Sequence, residues 1–296
     1  MKRINTYLTL LLLCGAMAVQ AEEKLPATAA EWERQRNDWF DHLRTHTFSH
    51  WPKKTAALQA EHTLDVHRDD IGLRAIHFTG EAGVRLPLYI AQRSGLENPD
   101  LVVLTVLDEK GRQDFLSTMR PGFEKDLDVE TWPAADEKAY QQTRDMFRSF
   151  KWVMAYIAPR CVVPAQDKDG ARQDDRQVLD IRRAIQALRT AGGHAGTPLW
   201  LQAEGDMASA ALLASLFEPD VTRMDLYNLP HSLRGGPFRW EIETTFDMPQ
   251  VVAMAVERTG VVVYEEKKQD WSYPVKAAEK YGWKTSLRIR KPPAAE

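Results

Sequence analysis

The chain has 296 residues, of which 44% are hydrophobic and 27% are charged, a composition typical of globular proteins. Its formal net charge of −3 at pH 7 provides no basic excess, so we expect no nucleic-acid partner. This length suits one large domain or two small ones.

The first residues predict a secretory signal peptide. Lys2 and Arg3 form a basic start, residues 8–13 form an apolar stretch, and small residues precede two candidate cleavage points, after Ala18 and after Ala21. The apolar stretch is short for a membrane span, and no other segment approaches about 18 consecutive apolar residues. We therefore expect a secreted or periplasmic protein whose mature chain has no membrane span.

The next residues predict a helix and then a group of antiparallel strands. Residues 29 to about 46 place apolar side chains along one stripe of a helix. The stripe consists of Trp32, Trp39, Phe40 and Leu43. Candidate strands follow at 64–67 and 73–79, and residues 84–91 alternate as in a half-buried strand. Pro87 favours an edge position for this last strand, because proline cannot donate a ladder hydrogen bond.

Three histidines near the end of the predicted helix have a spacing that metal ligands use. His42, His46 and His50 would share one face if the helix were continuous. The Trp51-Pro52 pair predicts instead that the helix frays before the last of them. Because a frayed turn separates the ligands, we interpret these histidines as a polar flank and expect no metal site.

From residue 100 onward, apolar runs alternate with helical patterns. The runs are 101–107, 152–157, 199–201, 221–227 and 261–264. Continuous runs suit strands that are buried on both faces of a parallel sheet, and residues 175–189 carry the best helical pattern between them. The alternation predicts an α/β fold with a mostly parallel central sheet flanked by helices.

One stretch, PLWLQAEGDMASAALLA at residues 198–214, has the form of a strand, a tight turn and a helix. Hydrolases present a nucleophilic serine in this way, at the centre of Gly-x-Ser-x-Gly. In this chain Ala203, Gly205 and Met207 occupy the positions of the first glycine, the serine and the last glycine. The serine position therefore holds a glycine.

Taken together, these segments resemble the α/β-hydrolase superfamily, and in particular secreted bacterial members similar to acetyl xylan esterases. The similar segments are 83–90, 101–108, 175–189, 247–250 and the strand at Val261. The likeness extends over roughly residues 60–290. It implies an α/β-hydrolase fold in which Asp108, Glu109 and Lys110 stand in the oxyanion loop.

The resemblance also implies a degenerate catalytic triad. The superfamily's histidine follows the last strand, but no histidine of this chain lies beyond His231. Its acid follows the strand at 261–264, where Glu265 is available. A serine hydroxyl is a poor nucleophile without a base, so we expect Gly205→Ser to remain inactive and we expect a non-catalytic or ligand-binding homologue.

Two alternative functions remain open. An active ester hydrolase could use Asp206 as a nucleophile, as some α/β-hydrolases use an aspartate, or Ser232, with His231 as the base. The ordinary interpretations are that Asp206 caps a helix and that His231 is a loop residue. A structural or interaction protein without a ligand pocket is the other alternative.

These inferences define the expected organisation. We expect a signal peptide over residues 1–21, an N-terminal helical extension over 22–59 and an α/β-hydrolase-like domain over 60–296. The expected partner is a small ester or a carbohydrate-derived ligand, and no cofactor is implied. The ligand, the oligomeric state and the survival of any catalysis are not determined by the residues alone.

Overall fold

The computed structural model describes residues 24–54, 56–160, 173–233, 246–284 and 287–293. The predicted signal peptide lies outside these residues. The helices are α1 (Ala29–His42), α2 (Glu109–Phe123), α3 (Glu137–Ser149), α4 (Gln173–Thr190), α5 (Gly205–Phe217), α6 (Met248–Val256) and α7 (Ser272–Tyr281). The strands are β1 (Glu61–Arg68), β2 (Ile71–Glu81), β3 (Val84–Arg93), β4 (Leu101–Val106), β5 (Trp152–Ile157), β6 (Leu199–Glu204), β7 (Val221–Tyr227), β8 (Gly260–Tyr264) and β9 (Leu287–Arg290).

The described strands form one sheet in the order β1-β2-β3-β5-β4-β6-β7-β8-β9. Strands β1, β2, β3 and β5 pair antiparallel in that order, and every other pair is parallel. Helices connect the parallel strands. The predicted α/β class, with N-terminal helix and antiparallel strands before a mostly parallel sheet, is confirmed.

The main core lies between one face of this sheet, which we call the core face, and helices α1, α4, α5, α6 and α7. Strand β6 contributes Leu199 and Leu201 to the core face, and β7 contributes Met224 and Leu226. Helix α5 is buried on almost all sides because it lies between the sheet and the neighbouring helices α4 and α6. Its many alanines allow this close approach, and each fully buried leucine adds about 1.5–3 kcal/mol of transfer free energy.

The second face of the sheet is only partly covered. Helices α2 and α3 pack on it over β1, β2, β3 and β5, through side chains such as Phe115 and Phe147. On β6 and β7, buried core-face residues alternate with half-buried ones on the second face, such as Trp200 and Asp225. The prediction that these runs are buried on both faces is therefore wrong for β6 and β7, because none of the described helices packs on that part of the second face.

Pro87 does not mark an edge strand, because β3 pairs with β2 on one side and with β5 on the other. The expectation is wrong for the strand, but the physical reason behind it still applies locally. Pro87 lies opposite His77 of β2, whereas pairing with β5 begins only at Leu88. The residue without an N–H thus stands just outside the ladder with β5.

The N-terminal helix ends close to where the sequence predicts. A capping box between Thr28 and Glu31 starts α1, and a π-helical turn, Leu43–Thr47, follows it. His42 and His46 stack with ring centroids 4.3 Å apart, while His50 lies beyond the helical residues. Among the described residues no group of histidine, cysteine and acidic side chains is arranged to hold a metal ion.

None of the helices in the described ranges is both long and apolar enough to cross a membrane.

Candidate functional site

The direction of the chain's crossovers reverses at β4, which is where we expect a ligand crevice. Strand β4 lies between β5 and β6, so the chain proceeds to one side of β4 and then returns to the other. Ligands of open α/β sheets bind outside the carboxyl ends of the strands at such a point. Here these ends lead into Asp108 after β4 and into Gly205 after β6.

Gly205 stands at the tip of the strand-to-helix turn. It is the first residue of α5, and its φ of +56° is left-handed. A Cβ at this position would meet nothing within 4 Å, so backbone conformation rather than space favours glycine. Ala203 and Met207, on either side of the tip, are buried. The tight turn is therefore centred on the residue where the sequence pattern places the nucleophile.

Asp206 follows the tip, in the first turn of α5. Its carboxylate accepts no hydrogen bond from the described residues, and the N-cap residue of α5 is Glu204, so the interpretation of Asp206 as a helix cap is wrong. Burial raises the pKa of Asp206, and the nearby negative charge of Asp108 raises it further. A half-buried carboxyl group with a raised pKa in a crevice is a candidate functional group.

The loop after β4 contributes a second carboxylate to the crevice. Asp108 is the N-cap of α2 and accepts a hydrogen bond of 2.7 Å from the amide of Gly111. Glu109 and Lys110 are exposed in the first turn of that helix. The oxyanion-loop role of these residues remains a prediction, since the structure assigns Asp108 a helix cap and Glu109 a hydrogen bond with Gln113.

His231 lies in the loop after β7 and points toward the loop after β8. Its Nε2 donates to the backbone carbonyl of Asp270 at 2.5 Å, and its ring packs edge-on against Trp271, with centroids 4.9 Å apart. The described residues place neither Ser232 nor Asp206 in a hydrogen bond with this imidazole. Because Nε2 carries the proton, Nδ1 is the only ring nitrogen that could act as a base.

Ser232 is held by a carboxylate instead of an imidazole. Its hydroxyl donates to Oδ2 of Asp247 at 2.8 Å. Asp247 also accepts from the amides of Leu233, at 2.6 Å, and Met248, at 2.8 Å, and it caps α6. This carboxylate anchors the loop that carries His231 and Ser232, an arrangement that the sequence analysis missed.

Glu265 is buried directly after β8, where the resemblance expects the acid. Its Oε2 accepts the indole N–H of Trp271 at 2.9 Å, and its Oε1 accepts the amide of Gln269 at 3.0 Å. Both oxygens are thus engaged by the loop that follows. No local pattern in the sequence indicates that Trp271 takes this position.

Solved structures share this architecture over most of the chain. A glucuronoyl esterase from Solibacter usitatus has a TM-score of 0.62 at 13% identity, with 90% of each chain covered. A candidate acetyl xylan esterase from Bacteroides fragilis has a TM-score of 0.66 at 9% identity, with 89% of this chain and 75% of that chain covered. The chain has an α/β-hydrolase fold. A glucuronoyl esterase from Teredinibacter turnerae agrees, with a TM-score of 0.59 at 12% identity over 93% of this chain and 84% of that chain.

No protein-family model matches the sequence, and no curated protein sequence matches it either. The likeness is therefore one of fold, and the chemistry must be argued from the residues of this chain.

In an α/β-hydrolase fold a catalytic histidine must lie at the end of a strand, so the positions of the histidines show which of them could act as a base. All eight histidines lie within the described residues. Seven of them do not follow a parallel strand: His42, His46 and His50 lie on or after α1, His62 and His67 on β1, His77 on β2, and His194 in the loop before β6. His231 is thus the one histidine at the end of a parallel strand, and Lys291 rather than histidine follows β9.

A cavity of about 770 Å³ lies elsewhere, between α1, α5 and α6. Its lining includes Arg36, Arg44 and Arg258 together with Phe40 and Glu257. It belongs to the helices that cover the core face and includes no residue of the crevice.

Proposed function

We propose that this chain is an exported α/β-hydrolase-fold protein that binds a small ester or a carbohydrate-derived ligand in the crevice around Gly205, without a serine triad. The observation that carries this proposal is the glycine at the tip of the turn. A nucleophile must project from that tip toward the ligand, and Gly205 has no side chain to project.

The surroundings of the two other triad positions support the same proposal. A general base needs a free nitrogen within reach of the group that it deprotonates. His231 has only Nδ1 free, since its Nε2 bonds the Asp270 carbonyl, and no described contact joins it to Asp206 or Ser232. Glu265 is hydrogen-bonded by Trp271 and Gln269. Neither residue hydrogen-bonds the other among the described contacts.

The ligand class follows from the polar groups of the crevice and from the relatives. Asp108 and Asp206 place carboxylates at the ends of β4 and β6, and carboxylates accept hydrogen bonds from the hydroxyls of sugars. The solved structures of similar fold include glucuronoyl and acetyl xylan esterases, which supports an ester or carbohydrate ligand. The predicted signal peptide supports export.

Two measurements on the purified protein test the proposal. We expect p-nitrophenyl acetate hydrolysis no faster than in buffer. We also expect acetylated xylo-oligosaccharides or methyl glucuronate to raise the melting temperature of the protein, since a ligand that binds the folded state stabilises it. Asp206→Ala should remove that increase, whereas the exposed control Glu266→Ala should retain it. Turnover that vanishes in His231→Ala would overturn the non-catalytic proposal.

An active hydrolase that uses Asp206 is the second candidate. The raised pKa of this half-buried carboxyl group, which has no hydrogen-bond partner among the described residues, favours it. The Asp206 carboxylate would attack the ester carbonyl to form a mixed anhydride, and the alcohol would leave with a proton from water. Nδ1 of His231 would then accept a proton from a second water, which hydrolyses the anhydride and releases the acyl group as an acid. Under this mechanism Asp206→Asn abolishes turnover, and turnover that persists in this variant would exclude it.

A further inference from the structure

The uncovered part of the second face forms a continuous surface over β6 to β9, which we call the open face. Paired residues of neighbouring parallel strands point to the same side of a sheet, so the register defines its members. They are Trp200, Gln202 and Glu204 on β6, Arg223, Asp225 and Tyr227 on β7, Val262 and Tyr264 on β8, and Arg288 and Arg290 on β9.

Among the described residues, no helix covers this surface as helices cover the rest of the sheet. The helices that contact β6, β7 and β8 within the described chain are α5 and α6, and both lie on the core face. Helices α2 and α3 cover the same side of the sheet only over β1, β2, β3 and β5. The aromatic side chains of this face are half-buried and Val262 is buried, whereas Glu204, Arg288 and Arg290 at its two sides are exposed. The exposed charges at the two sides of a half-buried aromatic face suggest a binding surface.

Aromatic side chains lie at the centre of the open face. Tyr227 and Tyr264 stack in parallel, with ring centroids 4.4 Å apart and an interplanar angle of 7°. Burial raises the pKa of Tyr227 to about 12, so its hydroxyl remains a donor at neutral pH. Arg223 lies over the ring of Trp200 at 4.2 Å. Tyrosine, tryptophan and arginine are the side chains enriched in the cores of protein interfaces.

The charges of the open face lie at its two sides. Arg223 is neutralised within the face by Asp225, at 2.8 Å. Glu204 on β6 and the two arginines of β9, Arg288 and Arg290, make no ion pair with the described residues. Three strand spacings, roughly 14 Å, separate β6 from β9, so these opposite charges cannot meet within one chain.

We propose that the open face binds a second copy of this chain, related by a two-fold axis that runs along the strands between β7 and β8. This operation places β9 of one copy over β6 of the other, and both copies keep the same strand direction. Arg290 of each copy then faces Glu204 of the other, and the tyrosine pairs meet at the axis. The contact is isologous, the form that most soluble dimers take.

A second two-fold axis, parallel to the sheet but perpendicular to the strands, is also geometrically possible. The charges on β9 favour the axis that runs along the strands. A two-fold axis perpendicular to the strands would bring β9 against β9 and place Arg288 and Arg290 against themselves, which is unfavourable. The footprint of four strands is small, roughly 14 Å by 15 Å, compared with the ~800 Å² of accessible surface per partner in a stable interface. We therefore expect a reversible, concentration-dependent dimer.

Sedimentation velocity over a concentration series tests the proposal with charge reversals. Arg290→Glu and Glu204→Arg should each weaken self-association by about 100-fold, because each places like charges together twice in the dimer. An equimolar mixture of the two variants should associate again, since Glu204 of the first then faces Arg290 of the second and the two introduced residues also attract. Arg34→Glu, an equal charge change on the exposed side of α1, should leave the dissociation constant unchanged.

The outcomes distinguish the proposal from its alternatives. Restored association in the mixture supports the proposed axis, and circular dichroism identifies a variant that fails to fold. If Glu204→Arg does not fold, Glu204→Gln provides the second variant, because it removes the charge that faces Arg290 without reversing it. A protein that remains monomeric at all concentrations, or a dimer that is insensitive to Arg290→Glu and to the Glu204 variants, would overturn the proposal.

Discussion

Trp271 donates its indole N–H to Oε2 of Glu265 at 2.9 Å, at the position where an α/β-hydrolase acid would hold the catalytic histidine. Trp271 is itself buried and packs against the ring of His231. An indole nitrogen can donate but cannot accept a proton. Glu265 therefore stabilises a loop, and His231 packs outside that hydrogen bond.

Replacement of Trp271 tests this structural role. Trp271→Phe removes the donor and leaves a buried carboxylate oxygen without its partner, which costs about 1–3 kcal/mol. We expect a decrease of that size in the free energy of unfolding, measured by urea titration with circular dichroism. Glu266→Gln, at the exposed neighbouring position, should change it by less than about 0.5 kcal/mol. A Trp271→Phe variant as stable as the wild type would contradict the assigned bond.

The structure has room for a side chain at Gly205, but the backbone conformation there is unfavourable for any other residue. No atom lies within 4 Å of the position that a Cβ would occupy there, yet φ is +56°, and left-handed backbone costs a non-glycine residue about 1–2 kcal/mol. We expect Gly205→Ala to lower the free energy of unfolding by that amount. Gly196→Ala, with equal space and no positive φ, should be within about 0.5 kcal/mol of the wild type.

Gly205→Ser should fail to create an esterase. The hydroxyl would stand at the tip of the turn, but none of the described contacts provides an imidazole to remove its proton. We expect its rate of p-nitrophenyl acetate hydrolysis to match that of Gly205→Ala. A rate that rises with serine and falls again when His231→Ala is added would show that the two residues meet.

Local pattern predicts much of the fold. The apolar residues at 199–201, the single Gly205 and the alanine-rich stretch after it specify a strand, a turn and a helix within 17 residues. The insertion of β5 between β3 and β4 depends on long-range pairing and has no local signal. Trp200 is apolar, so the sequence pattern places it in the core together with Leu199 and Leu201. In the structure Trp200 and Gln202 lie on the opposite side of β6 from those leucines, and this alternation marks the open face.

The site is less predictable because its contacts join separate loops. Ser232 and Asp247 are 15 residues apart in the chain, yet they form one hydrogen bond. The direction of His231 is set by Asp270, which is 39 residues away. Residue types identify Glu265 as a candidate acid, but only the packed loop shows that Trp271 engages it.

A buried ion pair at the carboxyl end of β5 should be essential for stability. Asp180 is fully buried and accepts from Nη2 of Arg160 at 2.6 Å and from Nε at 2.8 Å. Asp180→Asn removes the buried carboxylate and leaves Arg160 paired only with Glu81, at 2.6 Å. Loss of one partner in a buried pair costs up to about 3–5 kcal/mol. Glu124→Gln, which breaks the exposed pair with Arg120, should cost no more than about 1 kcal/mol. Similar losses in the two variants, measured by urea unfolding, would contradict the burial of this pair.

His194 should make the protein less stable in mild acid. Its ring is buried, and neither nitrogen has a hydrogen-bond partner among the described residues. Burial lowers its pKa to about 4, with further repulsion from Arg74 and Arg189. Between pH 6.5 and 4 the unfolded chain therefore binds a proton that the folded chain does not, and stability falls as the pH falls, by an amount on the order of 3 kcal/mol.

Unfolding measured at a series of pH values separates this histidine from the carboxylates that titrate nearby. His194→Gln cannot be protonated, so its free energy of unfolding should decrease less than that of the wild type between pH 6.5 and 4. His62→Gln, at an exposed position on β1, should follow the wild-type profile. Parallel profiles for the wild type and His194→Gln would mean that the imidazole reaches solvent and titrates normally in the folded protein.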